Sequence, residues 1–229
     1  GPFEFISNKP NIQIRRVFDN QLFELIEIKD PTVRVLKLVN AEIDIIQNDL
    51  PLELINYLIN HSELNHQLIE GVNVSYIGFN FMDSSLKNYE LRKALAMSID
   101  RHTIAKYFFN TKTRIVEQIL PPEHWASQDI QGIEFNPDKA RKILNKISPN
   151  QKIKLTYKTS TDPFRLKIAT IIQAQLADVG LDLSIKTLDW GTYFQDIQAG
   201  NFQLYGLTWV GIRSPEIYEK IFSSEFAPP

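Results

Sequence analysis

Apolar residues along the chain recur at two spacings, alternate positions in short runs and every third or fourth position in longer ones, and the two kinds of run succeed one another. Ile12, Ile14 and Val17 in the run 12–18, then Phe23, Leu25 and Ile28 in the run 22–28, predict two strands joined as a hairpin across Asp19-Asn20. Pro31 suits the first position of a helix whose stripe of Val35, Leu38 and Val39 stops at Asn40. Residues 43–46 read as a short buried strand, and Pro51 opens a helix with Leu54, Ile55, Leu58 and Ile59 on one face. An aromatic-rich strand over 75–82 carries Tyr76, Phe79 and Phe81 and ends at Asp83-Ser84-Ser85, near which a domain boundary is expected.

Two helices follow, one with Leu91, Leu95 and Ile99 on a common face and one capped by Asp100 and running to about residue 109. Residues 111–135 contain Pro121-Pro122 and little periodicity, which predicts an irregular loop. The last third is the most sharply punctuated. Asn136-Pro137 starts a helix buried through Ala140, Ile143, Leu144 and Ile147. Ile153, Leu155 and Tyr157 alternate with polar residues in a strand. Asp162-Pro163 then starts a helix buried through Ile168, Ile171, Ile172, Leu176 and Val179, Gly180 stops it, and Leu181, Leu183 and Ile185 form the next strand. This β-α-β unit predicts parallel pairing with a right-handed crossover. Asp189 caps a helix with Trp190, Phe194 and Ile197 on one face, and Gly200-Asn201 leads into a strand over 202–209. The class is α/β, with no tandem repeat.

Composition narrows the functions available. With 43% hydrophobic and 23% charged residues in 229, the chain can build a substantial core. Its formal charge of -2 argues against nucleic acid as a direct partner of this segment. No apolar run approaches the roughly 18 residues of a membrane span. The absence of cysteine excludes disulfides, thiolate metal sites and a cysteine nucleophile, while leaving the compartment open. Gly1-Pro2-Phe3-Glu4 has no signal-peptide character, so any export signal is expected outside this sequence, and Gly1-Pro2 also fits a cloning remnant.

Reactive chemistry has no anchor in the sequence. His61, His66, His102 and His124 show no metal-ligand spacing, and the G-x-S-x-G, G-x-G-x-x-G and G-x-x-x-x-G-K motifs are missing. Asp182 and Asp189 read as a solvated residue and a cap rather than an acid and base pair. No catalytic residue, metal or cofactor is expected.

Several stretches stand in a telling order: Gly1-Pro2-Phe3; Asn40-Ala41-Glu42-Ile43-Asp44-Ile45; Tyr76-Ile77-Gly78-Phe79-Asn80; Leu91-Arg92-Lys93-Ala94-Leu95; Ser98-Ile99-Asp100-Arg101; Asn136-Pro137-Asp138-Lys139-Ala140; and Asp189-Trp190 with Tyr193. Nearly end to end, the chain resembles the peptide-binding receptors of ABC transporters, solute-binding family 5, which has oligopeptide, dipeptide and nickel members. In the second stretch Asn40 replaces the family's glycine, a residue that tolerates a left-handed turn.

The resemblance implies a type II periplasmic-binding-protein-like fold, two lobes with mixed sheets and flanking helices, of which this chain is an incomplete part. Residues 1–77 would belong to the first lobe and 78–229 to the second, with a crossing strand near 76–82. It implies a periplasmic or cell-surface lipoprotein location, a small peptide or peptide-like ligand, and a membrane permease as partner. By position, Gln47, Asn48 and Asp49 match cleft-edge residues, Trp190 and Trp209 match aromatic cleft residues, and Asn80 lies in the crossing strand. Ile212 stands where peptide-binding members carry an aspartate that pairs with the ligand's ammonium, and Arg213 follows it as a candidate for a carboxylate or phosphate. The implied ligand is therefore neutral or anionic at this end. The same fold also serves as the effector-sensing domain of transcription regulators, the alternative reading; a hydrolase is a distant third.

Overall fold

The structure, a computed structural model, describes residues 1–47, 50–61, 63–69, 71–109, 113–149 and 151–226. The chain divides into two compact units, Gly1–Leu68 and Ile69–Pro229.

The first unit opens with an antiparallel sheet of three strands in the order β1 (Phe3–Ser7), β2 (Ile12–Arg16) and β3 (Leu22–Leu25). The hairpin expected from residues 12–28 is β2 and β3, and its turn is tightened by Asn20 at φ 60° and by Arg16, whose guanidinium bonds Asp19 and Gln21. Strand β1 escapes the sequence reading because alternation in 3–7 is broken by three apolar residues among five. Two helices follow, α1 (Pro31–Val39) and α2 (Leu52–Ile59). Asp30 caps α1, its carboxylate accepting from the Val33 N–H at 2.9 Å, and Val35 is the buried member of the apolar stripe.

Two expectations for this unit are corrected. Residues 43–46 form no strand: none of the described strands pairs with them, and Ile45 is 76% exposed. A strand needs a neighbour for its backbone groups, and apolar content alone does not supply one. The left-handed residue after α1 is Ala41, at φ 55°, whereas Asn40 sits at φ -80° and closes the helix through its own N–H to the Leu36 and Leu38 carbonyls.

The second unit is built on a four-stranded sheet in the order β4 (Val74–Phe79), β7 (Leu204–Trp209), β5 (Lys154–Ser160), β6 (Asp182–Leu188). Strand β5 runs parallel to β6 and β7, and β4 is antiparallel to β7. The predicted β-α-β unit is present: α6 (Pro163–Asp178) links β5 to β6, starting at Asp162, which accepts from the Arg165 N–H at 2.9 Å, and ending before Gly180 at φ 94°. Helices α3 (Tyr89–Ser98), α4 (Arg101–Phe108) and α5 (Pro137–Ile147) take their caps from Asn88, Asp100 and Asn136. The described part of 111–135 carries no helix or strand.

One core gathers Leu91 and Leu95 of α3, Ala140 and Leu144 of α5, Leu155 and Tyr157 of β5, Ile172 and Leu176 of α6, Leu183 of β6 and Leu204 of β7. Side chains alternate across a strand, so Leu155 and Tyr157 face α6 while Lys158 faces the other way. There its ammonium meets Asp196 of α7 (Trp190–Gln198) at 2.6 Å and the Asn201 carbonyl. Helices α6 and α7 therefore cover opposite faces of the sheet. A short α8 (Ile217–Phe222) follows β7.

Two details differ from expectation. Strand β4 ends at Phe79, and Phe81 is 59% exposed in a turn held by Asn80 and Asp83 side chains. The buried face of α7 is Tyr193 and Ile197, not the stripe containing Trp190 and Phe194. Tyr193 is fully buried and donates its hydroxyl to the Gly206 carbonyl of β7, and the Trp190 and Phe194 rings stack on each other on the exposed side at 6.1 Å.

Candidate functional site

In an open α/β sheet, ligands settle outside the carboxyl ends of the parallel strands, where successive connections leave to opposite faces. Here β5 leads into α6 on one face and β6 into α7 on the other, and the two strand ends are tied by the Thr161 N–H donating to the Leu188 carbonyl at 3.0 Å. The first turns of α6 and α7 thus bring Arg165 and Trp190 together from separate connections, the guanidinium carbon lying 5.9 Å from the indole centroid.

Beneath them is a polar knot around the Gly206 carbonyl of β7. It accepts the Tyr193 hydroxyl at 2.6 Å and Arg165 Nη1 at 3.3 Å. A Cβ on that glycine would fall 1.9 Å from the Tyr157 hydroxyl, so a larger residue there forces the tyrosine ring to shift. Burial pushes the Tyr157 hydroxyl well above the usual phenol range and that of Tyr193 up to about 12, with the Arg165 cation opposing the rise in both. Burial does the same to Tyr76, reinforced by Tyr205. All three are neutral donors at physiological pH.

Trp209, at the end of β7, is half-buried and stacked on Tyr76 of β4 at 5.9 Å and 12°, and Tyr76 in turn meets Tyr205 edge-on. Trp190 is 54% exposed. Asn80 has its amide engaged within the protein, donating to the Gly200 and Phe202 carbonyls and accepting from the Met82 N–H. Ile212 is only 5% exposed. Arg213 is exposed, and its carbonyl lies 3.2 Å from His124 Nε2. Gln47 is exposed in the first unit, and Asn48 and Asp49 lie outside the described residues. The sequence reading missed Arg165. The signal was its place, third in a helix that starts directly after a parallel strand.

Among the described residues no group of three or more histidine and carboxylate side chains is placed to hold a metal ion. A separate cavity of about 250 Å³ opens beside α4, where Arg101 in its wall is paired bidentately with Glu117. Among the described residues no helix is long and apolar enough to cross a membrane. What the strand ends offer is non-covalent: exposed and half-buried aromatic rings and a guanidinium.

Known structures share this fold. NikA from Brucella suis, solved in complex with Fe(III)-EDTA, superposes with a TM-score of 0.87 at 16% identity, over 99% of this chain and 51% of that one. The periplasmic binding protein DppA from Helicobacter pylori, solved with the peptide STSA, gives 0.78 at 22% identity over 96% and 44%. The fold is thus that of the type II periplasmic binding proteins. The profile of the bacterial extracellular solute-binding proteins, family 5 Middle, matches residues 1–224, and the chain belongs to that family. The dipeptide-binding protein of Escherichia coli (strain K12) is 24% identical over 226 residues, 92% of this chain, and the chain spans 42% of that relative's length.

Proposed function

We propose that the full-length protein is the substrate-binding component of an ABC transporter, which captures a peptide or peptide-like solute between two lobes and delivers it to a membrane permease. The observation that supports this most is the family match through residue 224, shared with dipeptide-binding relatives. In this reading residues 1–77 contribute to the first lobe and 78–229 to the second, with β4 near the crossing, and the protein works outside the cytoplasmic membrane. Gln47, Asn48, Asp49, Asn80, Trp190, Trp209, Ile212 and Arg213 are the proposed cleft residues.

Such a receptor needs no reactive group. Closure removes water from the ligand, strengthens its hydrogen bonds and presents a closed shape to the permease. The aromatic rings at the strand ends suit side chains of varied shape, and extended peptides can be held through their main chain. The effector-sensing reading draws no support from the relatives named above. The test is calorimetry on the full-length protein, stripped of ligand by unfolding and refolding, with a mixed pool of dipeptides and tripeptides. Saturable one-site binding with peptides recovered intact is expected; absence of binding, or recovery of cleaved peptides, contradicts the proposal.

A further inference from the structure

The carboxyl end of β7 is tied down from two distant parts of the second unit. Past Trp209 the chain turns at Gly211, φ 68°, a left-handed position that favours glycine, and Ile212 beyond it is buried. The side chain of Asn73, just before β4, accepts the Gly211 N–H at 2.9 Å. His124 meets the Arg213 carbonyl through Nε2 at 3.2 Å. Its Nδ1 accepts the Ala126 N–H at 3.1 Å, so the neutral ring carries its proton on Nε2 and donates it to Arg213. The same histidine closes its own turn, its N–H donating to the Pro121 carbonyl and its carbonyl accepting the Ser127 N–H, both at 2.9 Å. The residue this turn displays is Trp125, which is 85% exposed with the His124 ring 5.4 Å away.

We infer that Trp125 is a further solute-contact residue, its indole packing on an apolar side chain of the bound peptide, and that His124 is the positioning residue that holds it at the end of β7. The inference rests on the solute-binding reading and narrows it: the favoured solutes are peptides with a bulky apolar side chain at one position. Strand β7 runs parallel to β5, so its carboxyl end lies at the end of the sheet where α6 begins and where ligands of open α/β sheets settle. A large ring already fixed on a tight turn supplies contact area at little ordering cost. Trp190 and Trp209 are placed by the helix and strand that carry them, whereas Trp125 comes from a stretch without helix or strand, so its place depends on the bond from His124 to Arg213.

The test is calorimetry on the full-length protein with trialanine and the three tripeptides in which one alanine is replaced by phenylalanine. The wild type is expected to bind one of the three about tenfold more tightly than trialanine, the scale of burying part of an aromatic side chain. Trp125→Ala, checked for an unchanged melting profile, should lose that preference while still binding trialanine. His124→Ala should weaken the preference, His124→Gln, whose amide still donates, should restore part of it, and the His124→Ala effect should vanish in the Trp125→Ala background. A purely structural role for His124 would lower the melting temperature and leave the preference intact, which overturns its positioning role. No preference for phenylalanine at any position in the wild type overturns the inference without a variant, as does a preference preserved in a folded Trp125→Ala protein; in either case the solute-binding reading stands. Binding of none of the four peptides overturns that reading, and the inference with it.

Discussion

Gly206 and Arg165 show how much is decided at single residues. The missing side chain of Gly206 leaves room for the Tyr157 hydroxyl, and its carbonyl anchors Tyr193 and Arg165. Gly206→Ala should cost about 1–3 kcal/mol through overpacking, more if Tyr157 cannot shift. Urea unfolding should show a lower midpoint at constant slope, and an unchanged midpoint would contradict the packing described. Asn80→Ala removes two amide bonds to the Gly200 and Phe202 carbonyls and should cost about 1–3 kcal/mol by the same measurement. Trp190, Trp209 and Ile212 could be named as candidates from the sequence because they align with landmarks in a fixed order. The sequence left Arg165 unmarked, because its one signal, a place in the first turn of the helix that follows a parallel strand, gains meaning only once the strand order is known.

Elements were legible where local chemistry and long-range pairing agree. Asn136, Asp162 and Asp189 each precede an amphipathic run and each caps a helix. Asn136→Ala should therefore destabilise the protein by about 1 kcal/mol in thermal or urea unfolding, and an effect near zero would show that the cap is redundant. Agreement fails in 43–46, where apolar residues meet no strand, and in α7, where periodicity placed Trp190 inside but the carbonyl of β7 selects Tyr193.

The tie between α7 and β5 has a pH signature. Lys158, with help from Asn201, holds the Asp196 carboxyl below the usual carboxylate range. A depressed carboxylate is protonated first in the unfolded chain, so its stabilising effect is full above about pH 4 and is lost as pH falls through the lower folded value. Asp196→Asn should flatten the fall of stability as pH drops below about 4, measured by urea titrations at stepped pH. An acid limb unchanged from the wild type would contradict the coupling.

For the whole molecule, the α/β class and the family were readable because the landmarks recur in order over most of the chain, although each is weak alone. The relatives are longer than this chain, which spans 42% of the Escherichia coli protein. A two-lobed cleft completes its contacts only on closure, so the 229-residue segment should bind the same peptide at least tenfold more weakly than the full-length protein. Equal affinities by calorimetry would place the whole site within the segment. The central claim, capture between closing lobes, is tested most directly by small-angle X-ray scattering of the full-length protein with and without a saturating bound peptide. The account predicts a smaller radius of gyration in the bound form; bound peptide with an unchanged radius would contradict it.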